Sequence, residues 1–368
     1  MANTKKQVSK KVIKHVKKTY KKNPRIVIFL LIVIVLLFIG LTGYLYFNGY
    51  LDKYFDNNPE PNPEIPVDDG SIQDENGYYY YSLSGYESGD YYFLAKNLSG
   101  GALAGQLKQI IHQGFNPISY GDARYVLSFS DRNPQNNNES VRGIYNNAVI
   151  ATTWIGSGAG AWQREHVWPN SKLGIPRVSD SSKNQGSDLH NLRAIDGINQ
   201  TRSNRYFTDG SGEAVTVGSE AFYPGDEHKG DVARILFYMA IMYDDILSLT
   251  NEINNLINNP NTNYKPEGAY AGLLNVLIKW HKEDPVDEFE RQRNEFIYSG
   301  IALNPQGKKI NPQGNRNPFI DKPEYVHLIW EGKTITDLTK KNQSTKTKTE
   351  EVRIIYYAVF FKKEEWQY

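Results

Sequence analysis

Two stretches decide the reading of this chain: Arg164-Glu165-His166-Val167-Trp168-Pro169, and Asp188-Leu189-His190-Asn191-Leu192 running on to Asp196-Gly197-Ile198-Asn199-Gln200-Thr201-Arg202-Ser203-Asn204-Arg205. The first reads as a strand that ends at Pro169, which has no N–H to give a ladder. The second begins another short strand and then becomes a short helix, with Asp196 as its N-cap. The order is therefore strand, loop, strand, helix. An imidazole near neutral pKa takes a proton from water, while Glu and Asn supply hard oxygen ligands suited to magnesium or calcium. Phosphodiester hydrolysis needs both. Asn199 and Arg202 are three apart and share a helix face, which lets one hold a metal while the other reaches a phosphate. Neighbouring strand residues point to opposite faces, so bringing Glu165 and His166 to one site requires a bend at Pro169 or a bulge. On the residues alone, a polar strand end with His166 merely hydrogen-bonded stays open as the alternative.

Around this cluster the chain has 368 residues, more than one core usually fills, which implies one large catalytic domain or two smaller ones with appendages. At 39% hydrophobic and 13% aromatic it has material for a packed α+β core, and collagen, coiled coil and full disorder are excluded. The absence of cysteine removes disulfide scaffolds, thiolate zinc sites and cysteine nucleophiles. Walker, HExxH and GxSxG motifs are also missing. Leu103, Leu107, Ile110 and Ile111 recur at helical spacing up to a stop at Gly114, with His112 opposite the stripe. Tyr125 to Phe129 and Val149 to Trp154 read as strands, and Asp131 to Glu139 as an exposed loop. Three more helices are predicted: a buried one over Asp231 to Leu249, one over Ala271 to His281 with His281 packed, and one over Glu288 to Tyr298 with Arg291 and Arg293 at its surface.

The two ends differ from this body. Residues 1–25 carry nine Lys and one Arg and no acid, a basic head facing the cytoplasm. Ile26 to Phe47 is an apolar run about 33 Å long as a helix, enough to span a bilayer. The acidic residues after it put the remainder of the chain outside the cell by the positive-inside rule. A signal peptide cleaved to release a secreted protein is the alternative, but the run exceeds the usual signal core and no A-x-A site follows. Residues 48–76, with Pro59, Pro61, Pro63 and Pro66, are an extracellular spacer. Residues 77–332 form the catalytic domain, and 333–368 a tail with one β-prone stretch, Val352 to Phe361. The partners expected are nucleic acid and, through the N-terminal helix, membrane lipid; no protein partner is inferred.

At the quoted residues the sequence resembles the bacterial endonuclease I family, nucleases of the His-Me finger (ββα-metal) class. The resemblance extends through Tyr120-Gly121-Asp122, Gly230-Asp231-Val232-Ala233-Arg234, Leu277-Ile278-Lys279-Trp280-His281 and Gly314-Asn315-Arg316-Asn317-Pro318-Phe319, covering residues 78 to 330. It implies an α+β fold with a ββα-metal core, and an endonuclease that hydrolyses DNA, often also RNA, with little sequence preference. It further implies one divalent ion, Mg2+ with Ca2+ or Mn2+ as substitutes, and 5′-phosphate products. Carried over by the resemblance, His166 is the general base, Glu165 and Asn199 are the metal ligands, and His190 is structural. Arg193, Arg202 and Arg164 are candidates for the transition-state arginine. Arg164, Asn204 and Arg205 are candidate substrate contacts.

The catalytic domain holds 23 basic and 28 acidic residues, so binding relies on a local groove and is salt-sensitive. Two other classes compete with the nuclease: a non-catalytic surface module that binds nucleic acid, and a zinc hydrolase built on His166, His190 and His228, the last read as part of a surface turn.

Overall fold

The computed structural model describes residues 72–339, apart from 155, 158, 159 and 258–269, together with the backbone but not the side chains of Asn199 and Gln200. The basic head, the Ile26–Phe47 run, all but the end of the spacer, and the tail beyond 339 lie outside the described residues. Among the described residues no helix is long and apolar enough to cross a membrane.

Helix α1 (Gly100–His112) forms where Leu103, Leu107, Ile110 and Ile111 line one face, all of them buried, and the chain leaves it through Gly114 at φ 80. Helix α2 (Tyr120–Ser130) corrects the strand expected over Tyr125 to Phe129. Its aromatic and β-branched residues favour strands locally, but Ala123, Val126 and Leu127 fall at helical spacing and are buried, and Ser119 caps the helix by accepting from the Asp122 N–H. A hairpin follows, β1 (Val141–Arg142) with β2 (Val149–Ile150), shorter than the strand expected to reach Trp154.

β3 (Gln163–His166) pairs antiparallel with β4 (Leu192–Ile195), and α3 (Asn199–Arg202) comes directly after. The expected strand-loop-strand-helix order is present, with β4 starting only at Leu192 because Asp188–Asn191 turns. β5 (Tyr206–Phe207), β6 (Val215–Val217) and β7 (Ala221–Tyr223) form a small mixed sheet in the order β5-β7-β6.

Helix α4 (Lys229–Met242) is buried from Gly230 to Met242 and is the centre of the larger apolar core. It packs on α1 and on α5 (Leu274–Glu283), which presents Leu277, Trp280 and His281 to it. Helix α6 (Glu288–Ser299) opens with a capping box in which Asp287 and Glu290 accept each other's backbone N–H. A second core joins α2, β4 and Ile297 of α6. The molecule is thus α+β, with small sheets set among helices, and the two cores meet at β3 and β4.

Charge, as well as oil, joins these layers. Asp131, fully buried, accepts from Arg193 Nε at 3.3 Å, from Arg293 Nε at 2.8 Å and from the Ala194 N–H at 2.8 Å. Arg293 also donates to the Leu189 and Leu192 carbonyls, so it is internal and not, as its helix suggested, at the surface. Arg234 of α4 meets Glu290 of α6 through two bonds of 2.6 Å. Breaking one member of such a buried pair leaves an uncompensated charge, at a cost of about 3–5 kcal/mol.

Candidate active site

The β3-β4 ladder runs without interruption, Glu165 opposite Arg193 and His166 opposite Leu192, so no bulge sits at the Glu-His pair. The two side chains therefore leave opposite faces of β3. The bend comes just after them. Asn191 brackets Trp168, its Oδ1 accepting from the Trp168 N–H at 2.7 Å and its Nδ2 donating to the Trp168 carbonyl at 3.1 Å. β4 is the one strand beside β3 among the described residues, so the other edge of β3 has no strand partner there.

Glu165 is 8% exposed. The Tyr145 hydroxyl donates to its Oε1 at 3.0 Å, and Arg202 Nε lies 3.8 Å from the same oxygen. Among the described residues nothing donates to Oε2. Burial pushes this carboxyl up to about 7, against the opposing pull of Arg202 and of the Tyr145 hydroxyl. Tyr145 reaches it from the turn between β1 and β2, where it holds φ 76, a left-handed conformation that costs a bulky residue roughly 1–3 kcal/mol.

On the other face, His166 Nε2–H donates to the Gly186 carbonyl at 2.7 Å, which fixes the tautomer and leaves Nδ1 as the proton acceptor. Its ring stacks on Tyr120 with centroids 5.3 Å apart, and the Arg164 guanidinium lies 3.6 Å from the centre of that same Tyr120 ring. Burial pushes the imidazole down to about 4; the Gly186 carbonyl works against that and Arg164 adds to it. It is neutral across the physiological range.

The candidate arginines fall elsewhere than expected. Arg202 is fully buried, donating to the Val167 carbonyl and the Ser203 carbonyl, each at 2.9 Å, with its guanidinium 4.3 Å from the centre of the Phe207 ring. It ties α3 to β3 beneath Glu165, with Nε turned toward Oε1 of that carboxylate. Arg193 is 1% exposed and occupied by Asp131 and by Asp231, the latter at 2.9 Å, so its place is in the buried ion network. Arg164 is committed to Tyr120 and to Asp180 at 3.7 Å. Arg205 donates to the Ser219 and Thr201 carbonyls. Helix α3 stops at Arg202, and Ser203 at φ 46 turns the chain, so Asn204 lies off the helix. The Asn199 side chain is outside the described part.

Arg177, which the sequence did not single out, is exposed on the loop between β3 and β4, close enough to pull the Tyr120 phenol down against the burial that raises it. Lys172, 1% exposed, has its amine pushed down to about 8 by burial and by Arg202.

His190 is buried, with Nε2 donating to the Asn315 carbonyl at 3.2 Å and its ring 4.5 Å from that of Tyr238. His228, expected in a surface turn, is 1% exposed at the start of α4. Among the described residues the group able to converge on a cation is Asp231, Asp287 and Glu290, with ligand atoms within 4.8 Å of one another. It contains no histidine, and Arg193, Arg142 and Arg234 already answer its charges.

A neutral imidazole with a fixed tautomer and a carboxylate with one oxygen fixed, on the two faces of one strand end, are equipment for hydrolysing a phosphodiester. The family model for endonuclease I matches residues 99–324, and the chain belongs to the endonuclease I family. It is a nuclease. Extracellular ribonucleases of Bacillus subtilis (strain 168) and Bacillus amyloliquefaciens are each 36% identical to it over 247 residues, covering 65% of this chain and 78% of theirs.

Proposed function

We propose that the protein is a metal-dependent, largely sequence-nonspecific endonuclease of the His-Me finger class that cleaves DNA and RNA outside the cell, leaving 5′-phosphates. RNA gains weight from the relatives, both named extracellular ribonucleases. The observation that carries the reading is the Glu165 carboxylate, held at Oε1 by Tyr145 and given no donor at Oε2 among the described residues, on the same strand end as His166. This donor set fits a divalent ion: Glu165, with Asn199 at the start of α3, offers hard oxygens and suits magnesium better than zinc. When bound there, the ion supplies charge stabilisation at the phosphoryl oxygens and the leaving 3′ oxygen.

The chain's own groups do the rest. A phosphodiester at the unpaired edge of β3 is reached by Glu165 from one face and by His166 from the other. His166 Nδ1 takes the proton from water as its oxygen attacks phosphorus, and the Nε2–H···Gly186 bond steadies the imidazolium that results. Tyr120 and Arg164 hold the ring in its plane. Arg177 is an exposed cation of the adjoining loop, placed to meet the phosphate. Attachment to the membrane through Ile26 to Phe47, with the amino terminus in the cytoplasm, completes the proposal. Its test is digestion of plasmid and of RNA by the full chain after chelation, with magnesium, calcium, manganese or zinc added back. Recovery with magnesium and not with zinc supports the reading, and cleavage that survives complete chelation overturns it.

A further inference from the structure

A cavity of about 500 Å³, within the roughly 300–1,000 Å³ of small-molecule sites, is lined in part by Tyr145, the partner of the Glu165 carboxylate. The two are linked through Tyr145, which lines the cavity and whose hydroxyl bonds Glu165, and through Ile198, the residue before Asn199. His228 also lines it, with both ring nitrogens buried and without a hydrogen-bond partner among the described residues. An unpaired buried polar atom costs about 1–3 kcal/mol, and a 1% exposed imidazole carrying two of them calls for a ligand.

The surrounding charges narrow the choice. Glu213, Asp226 and Glu227 line the same cavity, which makes it hostile to phosphate. A cation fits poorly, because two of those carboxylates are already engaged. Asp226 accepts from the Tyr223 hydroxyl and from the Gly212 N–H and pairs with Lys229, while Glu227 accepts from Asn147. Glu213 forms no such bond among the described residues. What suits one free carboxylate, one imidazole and the apolar Ile198 is a flat group with N–H donors along an edge.

We propose, building on the nuclease reading, that this cavity receives the nucleobase next to the scissile phosphate and is matched to guanine. Guanine presents an imino and an amino N–H side by side, which the two oxygens of Glu213 accept together. His228 offers one donor and one acceptor to the remaining edge. The chain then has a base preference at one flanking position superimposed on general cleavage.

The test digests random-sequence RNA and DNA with the full chain to single cuts and sequences the ends. Guanine should be enriched roughly fivefold or more at one position flanking the cut, the discrimination expected of one bidentate contact. Glu213→Gln, a change at an exposed side chain, should flatten that enrichment, and His228→Asn should weaken it. Calorimetry of the metal-free chain should find guanosine monophosphate bound more tightly than cytidine monophosphate, and the difference lost in Glu213→Gln. End composition equal to that of the library, or enrichment unaltered in Glu213→Gln, overturns the proposal. A chain that distinguishes the two nucleotides but cleaves nothing overturns the nuclease reading instead.

Discussion

Replacing Tyr145 by Phe removes one hydroxyl and little volume from a residue that is 3% exposed, so the effect should concentrate on Glu165. That hydroxyl is the hydrogen-bond donor to the carboxylate, at 3.0 Å, and a bond to a charged group is worth about 1.5–3 kcal/mol. Its loss leaves the ionised carboxylate with Arg202 as its near stabilising charge, 3.8 Å from Oε1, and frees the side chain to rotate. At about 1.4 kcal/mol per factor of ten, the magnesium concentration for half-maximal cleavage should rise about 10- to 100-fold, the range typical for losing a partner that orients a metal ligand. Turnover at saturating magnesium should fall less. Because burial already holds Glu165 up at about 7, the defect should be larger at pH 6 than at pH 9, where the carboxyl ionises without help. The assay is initial rate on a fluorescent oligonucleotide across magnesium concentrations at both pH values, with folding checked by circular dichroism. An unchanged magnesium requirement in a folded Tyr145→Phe chain would refute the reasoning.

Three further outcomes follow from the same geometry. Asn199→Ala should raise the magnesium requirement and be partly rescued at high magnesium, while Asn204→Ala, off the helix past Ser203, should not; a magnesium titration that reverses the two would put the ligand at Asn204. Arg177→Ala should lower the cleavage rate about tenfold and weaken its salt dependence, since one phosphate contact is removed; a steady-state salt series checks both. Burial and the nearby Arg293 push His190 down to about 3 in the folded chain, against about 6.5 when unfolded, so below pH 6.5 the unfolded state takes a proton the folded state refuses. Stability contributed by His190 is full above pH 6.5, and about 2 kcal/mol of it should be lost by pH 5; urea unfolding of His190→Gln should be less sensitive to that pH change by this amount.

How much of this was legible in the sequence depends on the range of the interactions. α1 and α6 follow from local apolar spacing, and the strand-loop-strand-helix order from Pro169 and the polar run after Asp188, because each is decided within a few residues. α2 was misread because Tyr125, Val126 and Phe129 favour a strand alone, and only burial of Ala123, Val126 and Leu127 against the second core selects the helix. Glu165 and His166 stood out as residue types, whereas their partners did not. Tyr145 is 20 residues before Glu165 and Gly186 is 20 after His166, in turns with no motif of their own. The arginines were the hardest. Arg193 and Arg293 look available in a one-dimensional pattern, and their burial follows from Asp131, 62 and 162 residues away, which the sequence gives no means of pairing with them.

The central claim is that His166 is the base of a magnesium-dependent nuclease, and its most direct test is the single-turnover rate of His166→Ala at saturating magnesium. The variant should fold, since His166 gives the fold one hydrogen bond, to Gly186, and a stacking contact with Tyr120. Its cleavage of DNA and RNA should fall by roughly 10²- to 10⁴-fold, with the magnesium requirement little changed. A folded His166→Ala chain that cuts at the wild-type rate would contradict the account.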